Sequence, residues 1–280
     1  MITVVITTYK RKKLLRRCLF SVISQPLVNE IIVVDDGNDP IIKRYVTFIQ
    51  KKLQIKLLYA ATLGSEGACR ARNVGINLAN DSFVTFVDDD DYILPNRFLP
   101  LRDHLLQNKH SFYSTGRIVD VKYGDSLFIR EQKFGYIDYN SISRRNHIDI
   151  GFVCSRTNLL NINGFNESLN CFQDWDLISR LILEYGVGIK VKKFSYMVNE
   201  DPNLDRISSS VKHMKGFLSY KDRFNKHLTF FDRIVLHYEA SGCSSNIYLI
   251  DFLSPFASLL TLSSVPLKRS LRKIYNKAIC

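Results

Sequence analysis

The chain has 280 residues, of which 46% are hydrophobic, and it carries 39 Lys and Arg against 27 Asp and Glu, for a formal net charge of +12. This hydrophobic content is enough for a sizeable core, which indicates a globular protein and excludes an intrinsically disordered one. The excess of positive charge favours an anionic partner such as phosphate, nucleic acid or a membrane surface, although a basic surface can also serve solubility alone.

Strand and helix patterns alternate through the first hundred residues. Apolar, β-branched runs predict strands at residues 2–8, 30–36, 55–60 and 83–88. Apolar residues at helical spacing predict helices at residues 10–25, 40–52 and 68–80. Because strands that alternate with helices imply crossover connections, the sequence predicts an α/β fold with a mainly parallel sheet.

Three of the predicted strands end in polar residues: Thr7, Thr8 and Tyr9 at the first, Asp35 and Asp36 at the second, and Asp88 to Asp91 at the last. The carboxyl ends of parallel strands share one edge of the sheet, where ligands bind, so we expect these side chains to converge. Four adjacent carboxylates repel one another unless a cation or hydrogen-bond donors offset them, and Mg²⁺ or Mn²⁺ suits such a site. The alternative is a solvated acidic turn before a helix that begins near Pro95, with an aspartate such as Asp91 as its N-cap.

Four segments of the sequence resemble the family 2 glycosyltransferases. They are VVITTYKRKKLLRRCLFSVISQ, EIIVVDDGND, GACRARNVGINLANDSFVTFVDDDDYILPNRF and GFNESLNCFQDWDLISRL, and they occur in the family's order over residues 1 to about 185. The resemblance implies a GT-A fold, which is a Rossmann-like α/β architecture with flanking helices, followed here by a C-terminal helical extension. It also implies an inverting enzyme that moves a sugar from a nucleotide-sugar donor to a hydroxyl of a growing glycan.

The resemblance implies donor-binding roles for several strand-end residues. Thr7, Thr8 and Tyr9 would form the floor under the base and ribose, and Asp36 would hydrogen-bond a uracil-like base edge, which favours a UDP-sugar. Arg72 would approach the diphosphate or the base. Arg70 is the neighbouring candidate, and the sequence alone does not separate the two arginines.

The aspartates at the end of the fourth predicted strand match the family's DxD motif. By this resemblance Asp88 would touch the ribose, with Asp89 beside it in the donor site, and Asp90 would hold a divalent metal, Mn²⁺ or Mg²⁺. The metal would stabilise the leaving nucleoside diphosphate. The four aspartates are thus interpreted as a clamp for ribose and metal followed by a helix start.

The segment FQDWDLISRL matches the place of the family's catalytic base, and the resemblance assigns that role to Asp174. A carboxylate there can take the proton of an attacking sugar hydroxyl. Asp176 is the runner-up, and a helix that opens at Trp175 would point the two carboxylates in different directions. The alternative is a capped amphipathic helix with Trp175 and Leu177 in the core.

Two departures from the family pattern affect the site. Gln173 replaces the usual glutamate before the base, which makes acceptor recognition harder to infer than the base itself. Downstream, Asn199 lies near the place where many relatives have a histidine, so water would fill that metal position. Arg206 and Ser208 are further candidates for contact with the diphosphate.

By the resemblance, the GT-A domain spans 1–214, with a nucleotide-binding half at 1–95 and an acceptor half at 96–214. The acceptor half contains a predicted hairpin with its turn near residues 123–125. Three tyrosines in this half are candidates for stacking on sugars, although aromatic residues in strands more often belong to the core: Tyr113, Tyr136 and Tyr139.

The C-terminal segment, residues 215–280, combines helical apolar spacing with a basic cluster near its end. Such a segment suits an anionic membrane surface, where the acceptor would be a lipid-linked glycan of a bacterial surface polysaccharide. A small helical subdomain or a dimer contact with a solvated basic face explains the pattern equally well.

The six cysteines lie at irregular spacings without a C-x-x-C pair, so we expect reduced thiols in a cytosolic protein. No signal peptide or membrane-spanning run is evident, which favours a cytoplasmic enzyme peripheral to the inner face of the cell membrane. A dehalogenase-like phosphatase does not fit the adjacent Asp35 and Asp36, and no nucleic-acid-binding module is present. The remaining rival is a catalytically inactive relative that binds nucleotide or glycan.

Overall fold

The structure is a computed structural model that describes residues 1–53, 56–121, 126–200 and 210–242, with only the backbone described at 210–214 and 237–242. The strands are β1 (Ile2–Thr8), β2 (Val28–Asp35), β3 (Leu57–Ala61), β4 (Phe83–Asp88), β5 (Tyr92–Ile93), β6 (Tyr113–Val121), β7 (Ser126–Phe128), β8 (Gly135–Ile137), β9 (Val153–Ser155) and β10 (Gly188–Asn199). The helices are α1 (Lys12–Ile23), α2 (Pro40–Leu53), α3 (Ala68–Leu78), α4 (Arg102–Gln107), α5 (Tyr139–Ile142), α6 (Arg156–Asn161), α7 (Gln173–Tyr185), α8 (Ser210–Arg223) and α9 (Phe230–Gly242). The strands and helices predicted between residues 2 and 88 are confirmed to within two residues at each end.

The strands form one sheet in the order β3-β2-β1-β4-β9-β6-β10-β5, with β7 added beside β6 and β8 beside β10. Neighbouring strands from β3 to β4 are parallel, and so are β6 and β10. Strand β9 runs antiparallel between β4 and β6, so both parallel groups point the same way. The predicted α/β architecture with a mainly parallel sheet is therefore confirmed.

Helices cover both faces of the β1–β4 half of the sheet. On one face, Ile6 of β1 shares a buried core with Leu19 of α1 and Val46 of α2. On the other face, α3 approaches β1 through Gly75, where an added Cβ would lie 2.3 Å from Cγ1 of Val5. Only a glycine permits this approach, which brings the first turn of α3 close to the carboxyl end of β1.

The helix predicted near Pro95 is wrong. After the four aspartates the chain enters β5, whose Tyr92 and Ile93 pair antiparallel with β10, and the next helical residues are the 3₁₀ turn Leu99–Leu101 and α4. The N-cap of α4 is Leu101, so no aspartate of the cluster caps a helix. The pairing with β10 is a long-range contact that local sequence signals do not contain.

Two compact groups of residues divide the chain. The first comprises Met1–Ile142, Asn146–Glu167 and Asp174–Asp205 and contains the sheet; the second comprises Ser143–Arg145, Ser168–Gln173 and Arg206–Cys280. The predicted boundary at residue 214 stays a prediction.

The second group contains α8 and α9, which confirm the helical spacing noted after residue 215. Within this group the ring centres of Phe172 and Phe217 lie 4.5 Å apart, and Arg144 Nε lies 2.5 Å from Asp232 Oδ1. The basic cluster at the C-terminal end lies outside the described residues. Both interpretations of its role, a membrane surface or a helical subdomain, therefore stay predictions.

For cysteines and membrane-spanning helices, the structure gives information on the described residues only. Cys18, Cys69, Cys154 and Cys171 are not joined in disulfides, and the expectation of reduced thiols stays a prediction. Across the described ranges, none of the helices combines the length and the apolar character needed to cross a bilayer.

Candidate active site

The ends of β1, β2 and β4 converge as predicted. Thr8 lies opposite Asp35 in the register of β1 with β2, and Thr7 lies opposite Asp88 in the register of β1 with β4. The polar strand ends therefore form one edge, and the acidic cluster begins there.

Asp35 and Asp36 each organise a separate loop. Asp35 accepts hydrogen bonds from the backbone N–H of Gly37 at 2.9 Å and of Asp39 at 2.6 Å, which shapes the turn after β2. Asp36 accepts from the Thr62 hydroxyl at 2.7 Å and from two backbone N–H groups just before α3. Asp36 thus fixes the loop between β3 and α3 beside the place predicted for the base.

Tyr9 borders the same region. Its ring is 42% exposed, and its hydroxyl lies 3.1 Å from the hydroxyl of Ser65 in the loop that Asp36 fixes. An added Cβ at Gly37 would lie 3.3 Å from the Tyr9 ring, so the turn after β2 packs closely on this tyrosine. Tyr9 is therefore the exposed residue at this edge, whereas Asp36, Thr7 and Thr8 are buried.

Each aspartate of the cluster has its own set of partners, which explains how four like charges stand side by side. Asp88 Oδ1 accepts from Arg72 Nη2 at 2.6 Å and from the Thr7 hydroxyl at 3.3 Å. Asp89 is fully buried and accepts from the Thr8 hydroxyl at 2.7 Å. Hydrogen-bond donors and arginines therefore offset the repulsion between these carboxylates.

Arg11, just before α1, contacts both Asp89 and Asp90. Its Nη2 atom lies 2.5 Å from Asp89 Oδ1, and its Nη1 atom lies 3.3 Å from Asp90 Oδ2. Burial raises the pKa of Asp89 to about 7, against the opposing effects of Arg11 and Thr8. The side chain of Asp89 therefore points into the protein, while Asp88 and Asp90 remain partly exposed.

Asp91 anchors the acidic loop to β10. Its Oδ2 atom accepts from the Tyr196 hydroxyl at 2.8 Å, and its Oδ1 atom accepts from the backbone N–H of Asn199 at 2.9 Å. Burial is the main cause that raises the pKa of this carboxyl. The interpretation of Asp91 as a solvated helix cap is wrong, because its partners come from a distant strand.

Replacing Tyr196 with Phe tests this anchor. We expect the variant to lose about 1–3 kcal/mol in free energy of unfolding, because a buried acceptor on Asp91 loses its donor while the ring stays in place. Urea denaturation measures the difference, and Tyr136→Phe is the control because Tyr136 is 66% exposed. Equal stability of the two variants would contradict the anchor.

The acidic cluster fits a divalent cation. Carboxylate oxygens of Asp88, Asp90 and Asp91 lie within 4.8 Å of one another. Asp91 is buried with a hydrogen bond on each oxygen, whereas Asp88 and Asp90 are partly exposed, so Asp88 and Asp90 are the better ligands. Mg²⁺ and Mn²⁺ bind one or two carboxylates and complete their shell with water and phosphate oxygens. The donor set agrees with the metal role predicted for Asp90, which stays a prediction.

The structure separates Arg72 from Arg70. Arg72 is 4% exposed, pairs with Asp88, and its guanidinium lies 5.3 Å from the centre of the Phe165 ring. Arg70 is exposed and lies 3.5 Å from Glu167. The carboxylates of Asp88 and Asp174 both raise the pKa of Arg72 against the effect of burial. Arg72 is therefore a fixed positive charge near both carboxylates.

Asp174 lies in the first turn of α7. Its Oδ1 atom accepts from the backbone N–H of Trp175 at 2.8 Å, and its Oδ2 atom accepts from Asn146 Nδ2 at 2.9 Å. Burial raises the pKa of Asp174, while the positive charges of Arg117 and Arg72 lower it. A partly exposed carboxylate with a raised pKa is suited to accept a proton.

Asp176 has a different environment. It is 1% exposed, and Arg180 one turn later binds its Oδ2 atom through Nη2 at 2.8 Å and through Nε at 2.9 Å. Trp175 and Leu177 are buried, so α7 also has the core-packing face expected of an amphipathic helix. The two carboxylates point in different directions, and Asp174 is the better candidate base.

Several residues of the site carry no clear signal in the sequence. Arg11 and Tyr196 hold the acidic loop, Asn146 contacts Asp174, and the charge of Arg117 acts on Asp174. Only Arg11 lies within one of the segments that resemble the family. The others come from the acceptor half, where strand pairing rather than local pattern decides which side chains meet.

The other predicted contacts divide between the core, the surface and undescribed parts of the chain. Tyr113 is fully buried and belongs to the core, whereas Tyr136 is exposed and Tyr139 is partly exposed. The hairpin of β6 and β7 is confirmed, with its turn at 122–125 outside the described residues. Arg206 and Ser208 also lie outside them.

Comparison with known sequences supports the resemblance. The family described as Glycosyl transferase family 2 matches residues 3–166. A putative colanic acid biosynthesis glycosyl transferase, WcaA of Escherichia coli K12, is 26% identical over 249 residues, which cover 85% of each chain. The poly(ribitol-phosphate) β-N-acetylglucosaminyltransferase TarS of Staphylococcus aureus Mu50 is 29% identical over 131 residues, which are 46% of this chain and 20% of TarS.

Solved structures agree on the fold. The crystal structure of residues 1–349 of S. aureus TarS in complex with UDP-GlcNAc superposes with a TM-score of 0.62 at 16% identity, over 97% of this chain and 88% of that one. This similarity confirms the predicted GT-A architecture. Since the family match covers more than half of the sequence, the chain belongs to glycosyl transferase family 2 and is a glycosyltransferase.

Proposed function

We propose that the protein transfers a sugar from a UDP-sugar to a hydroxyl of a growing surface glycan, with inversion at the anomeric carbon. The observation that carries this proposal is the arrangement around Arg72, whose guanidinium binds Asp88 and interacts with the carboxylate of Asp174. A donor site at the strand ends and a base on α7 are thus linked through one buried cation.

The donor end of the site favours a nucleoside diphosphate. Tyr9 offers an exposed ring, and the buried carboxylate of Asp36, which accepts from the Thr62 hydroxyl, fixes the loop that contacts it. TarS, which shares the fold, has been solved with UDP and with UDP-GlcNAc. These observations support a UDP-sugar as donor, with the base near Tyr9 and the diphosphate toward Asp88 and Asp90.

Asp90 and Asp88 are the residues that would hold a divalent cation. Bound there, Mg²⁺ or Mn²⁺ would supply charge stabilisation for the departing diphosphate. Arg72 provides a further positive charge that the fold holds in place, which costs no reorganisation during the reaction. Asp89 and Arg11 fix the backbone between the two ligands.

Asp174 is the proposed general base. It takes the proton of the acceptor hydroxyl as that oxygen bonds to the anomeric carbon and the bond from carbon to diphosphate breaks. Among the described residues near it, we identify no second carboxylate placed to act as a covalent nucleophile, which favours direct displacement and inversion. Asp176 is unsuited to that role because Arg180 already binds it.

A glycan of the bacterial surface is the proposed acceptor. The relatives are named for colanic acid biosynthesis and for poly(ribitol-phosphate) glycosylation, both of which concern such polymers. A lipid-linked acceptor at the inner face of the membrane would suit the basic C-terminal segment. That part of the proposal depends on residues 243–280 and on a test of vesicle binding by chains with and without them.

A thermal-shift series tests the donor site. We expect UDP with Mn²⁺ to stabilise the wild type by about 2.7 kcal/mol at a hundredfold excess over the dissociation constant. UDP without metal, and CMP with metal, should give much smaller shifts. Asp90→Ala should abolish the metal-dependent shift, because a principal carboxylate ligand is lost.

Asp103→Ala is the matched control, since Asp103 is an exposed aspartate in α4 away from the strand ends. It should keep the full shift. A wild-type protein that UDP stabilises equally with and without Mn²⁺ would contradict the metal role of Asp90. A protein that no nucleoside diphosphate stabilises would contradict the donor proposal as a whole.

A further inference from the structure

We infer that Asn146 is a positioning residue, whose side-chain amide orients the Oδ2 atom of Asp174 and favours the ionised carboxylate that receives the proton of the acceptor hydroxyl. This inference rests on the proposed role of Asp174 as the base. Asn146 is outside the segments that resemble the family, and its role follows from its contacts alone.

The orientation of the Asn146 amide is fixed by a second contact. The backbone N–H of Ile148 donates to Asn146 Oδ1 at 2.9 Å, and Ile148 is fully buried. A backbone N–H can only donate, so the oxygen end of the amide must face Ile148. The NH₂ end must then face Asp174, where Nδ2 lies 2.9 Å from Oδ2.

Asp174 therefore receives a hydrogen bond on each oxygen. The N–H of Trp175 occupies one direction on Oδ1, and the Asn146 amide occupies one direction on Oδ2. Each carboxylate oxygen has two lone pairs, so Oδ2 keeps one for an incoming proton. Hydrogen bonds to the charged form of a carboxylate favour that form, which is the form that acts as a base.

Other groups also act on the ionisation of Asp174. Arg117 from β6 and Arg72 from α3 favour the charged carboxylate. The charge of Asp174 in turn helps to raise the pKa of the Cys69 thiol in α3. On its own helix, Asp176 is paired with Arg180. Asn146 differs from the two arginines because it is neutral and contacts the carboxylate directly, so it can be changed without altering the charge around the site.

The hydrogen bond between Asn146 and Asp174 lies at the atom that accepts the proton in the proposed reaction. In the proposed reaction the O–H bond of the acceptor breaks, a new O–H bond forms on Oδ2 of Asp174, and the acceptor oxygen takes the place of the diphosphate on carbon. When Asp174 is protonated, the amide of Asn146 loses the charged partner that it prefers. Release of the proton to solvent restores the ionised base for the next cycle.

Titration of the Asp174 side-chain carboxyl by carbon-13 NMR tests the inference, with the signal assigned by its absence in Asp174→Asn. We expect Asn146→Ala to raise the pKa of Asp174, because a donor to the ionised form is removed. Asn146→Asp should raise the pKa further. It keeps the shape and the bond from Ile148 but replaces a donor with a second carboxylate.

The alanine variant separates positioning from a structural role. If Asn146 only shaped its loop, Asn146→Ala would lower the free energy of unfolding and leave the pKa of Asp174 unchanged. A carboxylate at position 146 raises that pKa by charge repulsion in either case, so Asn146→Asp tests only that the two side chains are adjacent. The acid limb of UDP-sugar turnover should move to higher pH with the measured pKa, while the affinity for UDP stays unchanged. Asn29→Asp is the matched control, since Asn29 donates to Asp81 at 3.1 Å on the exposed surface.

A wild-type measurement keeps the inference testable if the variants do not fold. The side-chain NH₂ resonances of Asn146 should titrate with the same midpoint as the Asp174 carboxyl. If Asp174→Asn keeps wild-type turnover, the base assignment fails and the inference fails with it. If Asp174→Asn is inactive but Asn146→Ala leaves both the pKa and the pH profile unchanged, the inference alone is overturned.

Discussion

Asp174→Asn should reduce sugar transfer by about 10²–10⁴-fold and leave the affinity for UDP close to that of the wild type. The amide has the shape of the carboxylate and can still accept the N–H of Trp175, but it cannot take the proton of the acceptor hydroxyl. Turnover of the UDP-sugar and calorimetric binding of UDP with Mn²⁺ measure the two effects separately. Unchanged turnover would contradict the role of Asp174.

The wild type should also lose activity on the acid side. Burial raises the pKa of Asp174 above its ordinary value. A base with a raised pKa is protonated as the pH falls through that value, so turnover should fall in the same range while binding of UDP persists. Asp174→Asn removes the titrating group, and its residual turnover should lack this acid limb.

Asp176→Asn is the matched control for the base. It removes the same charge from the same turn of α7, but Asp176 is buried against Arg180 rather than facing the site. We expect it to lower stability while keeping substantial turnover. Binding of UDP by a wild type that shows no turnover at all would instead favour the catalytically inactive relative.

Arg97→Met should lower the free energy of unfolding by about 3–5 kcal/mol, because it leaves a buried charge and several acceptors without their partner. Arg97 is 1% exposed; its Nη1 atom lies 2.6 Å from the Thr115 hydroxyl, and its Nη2 atom lies 2.6 Å from the carbonyl oxygen of Gly151. The carboxylate of Asp149 lies 3.8 Å away. Methionine fills similar space but donates no hydrogen bond.

Urea denaturation checks this expectation, with Arg102→Met as the control. Arg102 is exposed at the start of α4, so the same substitution there should change stability by less than about 0.5 kcal/mol. A similar loss in both variants would show that the buried network of Arg97 is not the cause. An unchanged stability of Arg97→Met would contradict the network directly.

The first half of the fold could be predicted because its signals are local. Buried parallel strands require continuous apolar, β-branched runs, and residues 2–8 and 83–88 form strands with the predicted boundaries. The acidic cluster was predictable for the same reason, since Asp88 directly follows such a run. Position along the chain was enough to place these side chains at one edge.

The acceptor half could not be predicted in the same way. Its short strands are paired across long separations, and the bond between Asp91 and Tyr196 depends on the register of β5 with β10. Asn146 lies in an irregular segment, where no periodic pattern indicates its contact with Asp174. Arg97 likewise looks like an ordinary surface arginine until the sheet encloses it.

The anchor of the acidic loop has a consequence for how the chain folds as it is synthesised. Tyr196 and Asn199 lie 105 and 108 residues beyond Asp91. Strands β1 to β4 and their helices leave the ribosome first and can pair among themselves, since domains tend to fold from the N-terminus during translation. The loop that they carry gains the two hydrogen bonds of Asp91 only when β10 arrives, so the Asp91 end of the acidic loop is fixed last.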